Sequence, residues 1–213
     1  MLALDIDQRS DDWRAWRLGQ PTASKASQLV TSAAAPSKSM ASYADELAAD
    51  LFAGNPIGGF AGNRHTERGL ELEPVARAAY AYTHDVDVIE AGFVSDALCR
   101  FGCSPDGLVG NDGLLEIKCC EAKGHVKALL YWREKHRPPP DYVPQAAFQM
   151  LVTDRAWCDI YYYHPDLPSI AMRVGRSAEM DDALLSQIDA CIARRDDTLA
   201  ALRGFAPQPE SAA

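Results

Sequence analysis

The chain has 213 residues and a mass of 23.2 kDa, with 47% apolar and 24% charged residues; this excludes a disordered or fibrous chain and suits one domain over residues 1–213. A domain of this size can bury roughly 70% of its unfolded surface and needs no disulfide or structural metal to fold. Its net charge of −9, from 21 Lys+Arg against 30 Asp+Glu, taken alone argues against nucleic acid or an anionic membrane as partner.

The first ten residues, Met1 to Ser10, lack the basic segment and apolar core of a signal peptide. No stretch approaches the roughly 18 uninterrupted apolar residues of a membrane span, so the expected location is cytoplasmic. Residues 31–42 are rich in Ser and Ala and predict a mobile loop. A helix is expected over 42–53, with Ser42 as cap and Leu47, Leu51 and Phe52 on its apolar face. The run from Gly54 to Gly59 ends it. A second helix is expected over 66–83, either kinked at Pro74 or starting its regular turns there. Val86–Val94 alternates as a strand does. Cys99–Cys103 and Leu114–Cys119 are apolar runs flanking Asn111-Asp112-Gly113, a hairpin signal. Helices over 121–135 and 142–154 flank the breaker Pro138-Pro139-Pro140. Strands over Trp157–His164 and Ile170–Val174 and a long helix over 177–203 close the chain. Strands in the middle with helices on either side predict a mixed α/β fold. The six cysteines are scattered without paired CxxC spacing and read as reduced thiols, small buried hydrophobes on strands.

The chemistry lies in the segment from Cys103 to Lys118. On a strand, Glu116 and Lys118 project from one face, yet Leu114, Leu115, Ile117 and Cys119 around them are apolar. A charge on a strand built for burial is costly unless it is paired or binds a metal. A hairpin between the strands brings Asp106, separated from Glu116 by nine residues, back toward it. Two carboxylates and an ammonium then converge. Carboxylate oxygens completed by waters suit Mg²⁺, and Mg²⁺ so held polarises phosphoryl oxygens and acidifies a bound water. A bare Glu-x-Lys is an ordinary ion pair on a solvated strand face. The Pro-Asp turn before it makes the pattern a candidate site for metal-dependent phosphodiester hydrolysis.

Five blocks extend this pattern: Gln8-Arg-Ser-x-x-Trp13-x-x-Trp-Arg17-Leu-Gly-x-Pro-Thr-Ala-Ser24, Gly69-x-x-x-Glu73-x-x-Ala76-Arg77, Ser104-Pro-Asp106-Gly107, Leu115-Glu116-Ile-Lys118 and Tyr142-Val-Pro-Gln145-Ala-Ala-Phe-Gln149-Met150. Asp106…Glu116-Ile-Lys118 resembles the signature of the PD-(D/E)xK nucleases. The five blocks in order resemble the lambda-exonuclease-type alkaline exonucleases of phages and prophages, the YqaJ-like family, over about residues 8–175. The resemblance implies a restriction-endonuclease-like core, a mixed central sheet flanked by helices. It implies Asp106, Glu116 and the Ile117 backbone carbonyl as metal ligands and Lys118 as the catalytic lysine. Glu73 would support the metal directly or through water, and Gln145 would lie near the reaction. Arg17, Ser24 and Ser104 would bind the 5′ phosphate or the backbone of DNA; a guanidinium and hydroxyls suit a phosphate. Many members carry a second glutamine two residues after the first; here that position is Ala147, and Gln149 lies one turn beyond Gln145.

The resemblance further implies Mg²⁺, two ions with Mn²⁺ able to substitute, and 5′→3′ digestion of one strand at double-stranded DNA ends. The product, a 3′ single-strand overhang, would serve homologous recombination with a single-strand annealing protein, and the enzyme would be a homotrimeric ring around DNA. The alternatives are another enzyme on the same core, an endonuclease or a Cas4-like nuclease, and a non-catalytic DNA-end-binding module. A Cas4-like enzyme needs four clustered cysteines, and a pure binder has no use for Asp106, Glu116 and Lys118. The acidic total is unevenly spread: residues 118–137 carry six basic and two acidic residues, and residues 179–197 six acidic and two basic. A locally basic channel beside the site and an acidic outer helix are the expectation.

Overall fold

The computed structural model describes residues 2–57 and 64–205. Its centre is a five-stranded sheet in the order β2 (Val88–Ile89), β5 (Gly107–Val109), β6 (Gly113–Lys118), β7 (Trp157–His164), β8 (Leu167–Gly175). Only β6 and β7 run parallel, pairing Glu116 with Ile160 and Lys118 with Tyr162. Parallel neighbours require a long crossover, supplied here by α4 (Ala122–Lys135) and α5 (Val143–Thr153). A smaller sheet of β1 (Leu2–Leu4), β3 (Phe93–Ser95) and β4 (Gly102–Cys103) stands beside it.

Strand β6 decides what faces what. Leu115 and Ile117 pack with Ala76 and Tyr80 of α3 (Arg64–His84) on one side. Leu114 joins the larger core on the other side, with α2 (Met40–Ala53), α5 and α6 (Ala178–Phe205). Glu116 and Lys118 share the Leu114 side by strand alternation and so face α5. The sheet is thus covered by helices on both faces, the mixed α/β architecture expected.

Several boundaries differ from the sequence reading. The helix over 42–53 begins at Met40, with Ser39 rather than Ser42 as its cap. It buries Leu47 but leaves Phe52 exposed, because Phe52 lies in the last turn before Gly54, which ends the helix in a left-handed conformation at φ 71°. The loop over 31–42 has its own bonds: Thr31 N donates to the Ala35 carbonyl and Ser37 N to the Leu29 carbonyl, both at 2.8 Å. Helix α3 passes through Pro74 without ending. The turn past Gly54 enters residues 58–63, outside the described residues.

The strand expected over Val86–Val94 is two strands in different sheets. At Gly92 the chain crosses between them so closely that an added Cβ would lie 2.2 Å from the Ile6 carbonyl oxygen and 2.7 Å from that of Leu4. Backbone oxygens cannot swing aside as side chains can. Gly92→Ala is therefore expected to lower unfolding stability by about 1–3 kcal/mol, read from urea denaturation; an unchanged midpoint would show that the junction is slack. The hairpin also differs: β6 pairs with Gly107–Val109 across the turn at Gly110, while Gly102–Cys103 pairs with β3. All six cysteines are free thiols. Cys103 and Cys158 are buried on strands as expected, but buried Cys191 is on α6 and Cys99 occupies a left-handed turn at φ 55°.

Candidate active site

The hairpin sets the first carboxylate. The ladder between β5 and β6 ends at Gly107 opposite Leu115. Further along β6, the Ile117 amide donates instead to Asp106 Oδ2 at 2.6 Å. The backbone of Asp106 is fixed from outside the sheet, where Arg77 Nε on α3 donates to its carbonyl at 2.8 Å. Gln8 Nε2 donates to the preceding Pro105 carbonyl at 3.2 Å. Burial pushes the Asp106 carboxyl well above the usual range, reinforced by the charges of Glu116 and Glu73 and opposed by Lys118 and the Ile117 amide.

Glu116 is 4% exposed and accepts three hydrogen bonds. Lys118 Nζ donates to Oε1 at 2.6 Å, Gln145 Nε2 to Oε1 at 2.7 Å and Gln149 Nε2 to Oε2 at 2.6 Å. A buried carboxylate needs such donors to stay charged. The ammonium of Lys118 also reaches Gln145 Oε1 at 3.3 Å and lies 4.4 Å above the Tyr142 ring. Burial pulls the Lys118 ammonium down, but the charge of Glu116, its hydrogen bond and Asp106 outweigh this, and the group is held above its ordinary value.

Glu73 lies beside this pair but is held by arginines. Arg77 donates to its Oε1 at 2.8 Å and Arg9 to its Oε2 at 3.2 Å. Arg77 also pairs with Glu90, so one guanidinium ties Glu73, Glu90 and the Asp106 backbone together. Among the described residues no three His, Cys, Asp or Glu side chains converge as a metal cluster. The side-chain donors facing the site are Asp106 and Glu116, with the Ile117 backbone between Glu116 and Lys118. Two carboxylates beside one ammonium form a hard-oxygen donor set that could hold a hard cation completed by waters.

A second cluster adjoins the first. The side chain of Ser10 caps α1 (Asp11–Arg17) by accepting from Trp13 N. The Trp13 indole N–H donates to Ser104 Oγ at 2.7 Å, two residues before Asp106. The Arg17 guanidinium stacks 4.2 Å from the Trp13 ring and donates to Ser24 Oγ at 3.2 Å and Thr22 Oγ1 at 3.5 Å. The Thr22 segment is tied to β4 by a bridge to Gly102. Burial lowers the Arg17 pKa to about 10, with Tyr43 and Cys103 opposing, so the group is still a cation at neutral pH. A guanidinium bonded to hydroxyls retains its charge for an anion.

Residues 12–156 match the model of the YqaJ-like viral recombinase domain. The chain belongs to that family. Two solved structures of an alkaline exonuclease from Laribacter hongkongensis (LHK-Exo) resemble this YqaJ-like chain over most of its length. One is 32% identical with a TM-score of 0.80, over 92% of this chain and 98% of its own. The other, a complex with dAMP, is 31% identical over the same shares, also with a TM-score of 0.80. A phage-related exonuclease from Haemophilus somnus 129PT, 16% identical with a TM-score of 0.68 over 86% of this chain and 96% of its own, shares the fold. No curated protein sequence matches the chain.

In this YqaJ-like chain the structure brings Asp106, Glu116, Lys118 and Gln145 together, and Arg17, Ser24 and Ser104 nearby. It places Glu73 one step back, held by Arg9 and Arg77. Three participants were not picked out as site residues by motif reasoning: Arg77, Tyr142 and Thr22 all lie inside the quoted blocks or between their named positions. Gln149 was legible as a residue on the Gln145 face of a helix; that both glutamines reach one carboxylate needed the packing of α5 on β6. No described helix is long and apolar enough to cross a membrane.

Proposed function

We propose that this protein is a Mg²⁺-dependent exonuclease that degrades one strand of linear double-stranded DNA in the 5′→3′ direction and leaves a 3′ single-strand overhang. The observation that carries this reading is the convergence of Asp106, Glu116 and Lys118 on one point, in a family whose solved relatives include an alkaline exonuclease crystallised with dAMP. Asp106, Glu116 and the Ile117 carbonyl would hold Mg²⁺, with Mn²⁺ able to substitute. A metal held by these groups would supply polarisation of a phosphate and a more acidic water.

The protein's own groups supply the rest. Lys118, charged at neutral pH, neutralises charge developing on the phosphate or orients the attacking water. Gln145 contacts both Lys118 and Glu116 and keeps them in register. Arg77 fixes the backbone that presents Asp106, and Glu73 steadies Arg77. Arg17, Ser24 and Ser104 would take the 5′ phosphate of the DNA end. The exposed basic residues of α4, which begins directly beyond Lys118, would follow the duplex backbone. The acidic surplus on α6 is partly neutralised by pairs such as Arg176 with Asp181 and Arg100 with Asp189. A homotrimeric ring around DNA, a single-strand annealing protein as partner and a cytoplasmic location complete the proposal.

The decisive experiment is digestion of end-labelled linear duplex with Mg²⁺. Recession from the 5′ ends, with covalently closed circles left intact, is expected. Recession from 3′ ends, or prompt cutting of circles, would overturn the polarity or the exonuclease reading. In the same assay Arg17→Ala is expected to shrink the preference for 5′-phosphorylated over 5′-hydroxyl ends by about tenfold, roughly the loss of one charge-assisted hydrogen bond. An unaltered preference would make Arg17 a structural stack on Trp13.

A further inference from the structure

The two oxygens of Glu116 are held from different sides. Oε1 faces Lys118 and Gln145, both of which keep partial contact with solvent. Oε2 faces the interior and takes its bond from Gln149, which is 1% exposed. Gln149 has nowhere to go. Its amide oxygen lies 3.7 Å from Cys158 Sγ on β7, which directs its NH₂ end at Glu116. Its backbone carbonyl accepts from Thr153 Oγ1 at 2.7 Å, within the same helix. A carboxylate so arranged can offer one oxygen to a cation while the other stays hydrogen-bonded.

That distinction matters between hard cations. Mg²⁺ demands near-octahedral geometry at about 2.0–2.1 Å and is content with one oxygen per carboxylate, whereas Ca²⁺ takes 6–8 oxygens at roughly 2.3–2.6 Å and often binds carboxylates through both. Resting on the metal-dependent reading above, we propose that Gln149 is a positioning residue that withholds Glu116 Oε2 from the metal and thereby biases the site toward Mg²⁺ over Ca²⁺. Outer hydrogen bonds to ligating carboxylates tune metal sites in this way.

The test is calorimetric titration of the full chain, metal-free and without DNA, with MgCl₂ and separately with CaCl₂. Gln149→Met removes the donor at similar volume and frees Oε2; the affinity for Ca²⁺ relative to Mg²⁺ is expected to rise about tenfold. Gln145→Met removes a donor on the Oε1 side and is expected to leave that ratio unchanged. Thermal unfolding reports whether each variant is folded. Should Gln149→Met not fold, Gln149→Asn, which withdraws the amide by one methylene, is expected to shift the ratio in the same direction. An unchanged ratio in a folded Gln149 variant, or an equal shift in Gln145→Met, overturns the proposal while leaving the nuclease reading intact. A parent chain that binds neither ion overturns the metal-dependent reading itself, and this proposal with it.

Discussion

Lys118→Ala is expected to cut DNA degradation by about 10²–10⁴-fold, the range for losing a preorganised charge or proton-transfer group in a water-poor site. The side chain stands 2.6 Å from Glu116 Oε1 and is held charged there. An ammonium in that state suits neutralising the phosphate; acting as a base would first require another cation to offset Glu116. The same geometry separates Lys118 from metal binding. Its Nζ bonds Glu116 Oε1, so removing it leaves two carboxylates with less opposing charge. Mg²⁺ affinity is therefore expected to be retained or to rise, and DNA binding to persist. Single-turnover digestion, Mg²⁺ calorimetry and fluorescence anisotropy with labelled duplex check the three parts. Ordinary turnover would remove the catalytic role, and loss of Mg²⁺ binding would make Lys118 structural.

Asp106→Asn should behave in the opposite way toward metal. Losing one anionic ligand costs several kcal/mol of charge stabilisation, about 10³-fold or more in rate, and Mg²⁺ affinity should fall with it. Stability should move the other way. In the metal-free protein burial raises the Asp106 carboxyl above its ordinary value, with Glu116 and Glu73 adding to the shift. The native state therefore binds more protons than the unfolded chain between the unfolded and folded pKa values. Metal-free stability falls as pH rises through that window, and the deficit is present in full above it. An asparagine, which can still accept from the Ile117 amide, removes the deficit. At neutral pH and without metal the variant is expected to unfold at higher temperature than the parent, and added Mg²⁺ to stabilise only the parent. Normal cleavage by Asp106→Asn would refute the two-carboxylate site. A lower unfolding temperature would show that Asp106 is already neutralised by its surroundings.

The elements that the chain announced most clearly were those with strong local signals. Trp157–His164 is the strand expected residue for residue, and the helices expected over 121–135 and 142–154 begin and end within one residue of those bounds. The fold class, the pairing of Glu116 with Lys118 on one strand face and the return of Asp106 through a turn followed from periodicity and spacing, because alternation on a strand and reversal at a hairpin are local properties. The errors lay where partners are distant. Val86–Val94 alternates as one strand but serves two sheets, since the choice of partner for each half is made by β1 and β5. Cys99–Cys103 looked like one arm of the hairpin, yet Gly102–Cys103 pairs with β3.

The site divides along the same line. From its residues alone the chain determined which groups carry charge into an apolar strand, and its motif order determined the family. What only the tertiary structure decided is how those groups are held: that Glu73 answers to Arg9 and Arg77, that one guanidinium fixes the Asp106 backbone, that Trp13 links Arg17 to Ser104, and that Gln145 and Gln149 grip opposite oxygens of Glu116. Each of these contacts joins residues from different elements. Their geometry depends on how α1, α3 and α5 pack against the sheet, a long-range outcome of burying apolar faces that no local pattern encodes. The net charge of −9 shows the same limit, because a total says nothing of where the charges fall.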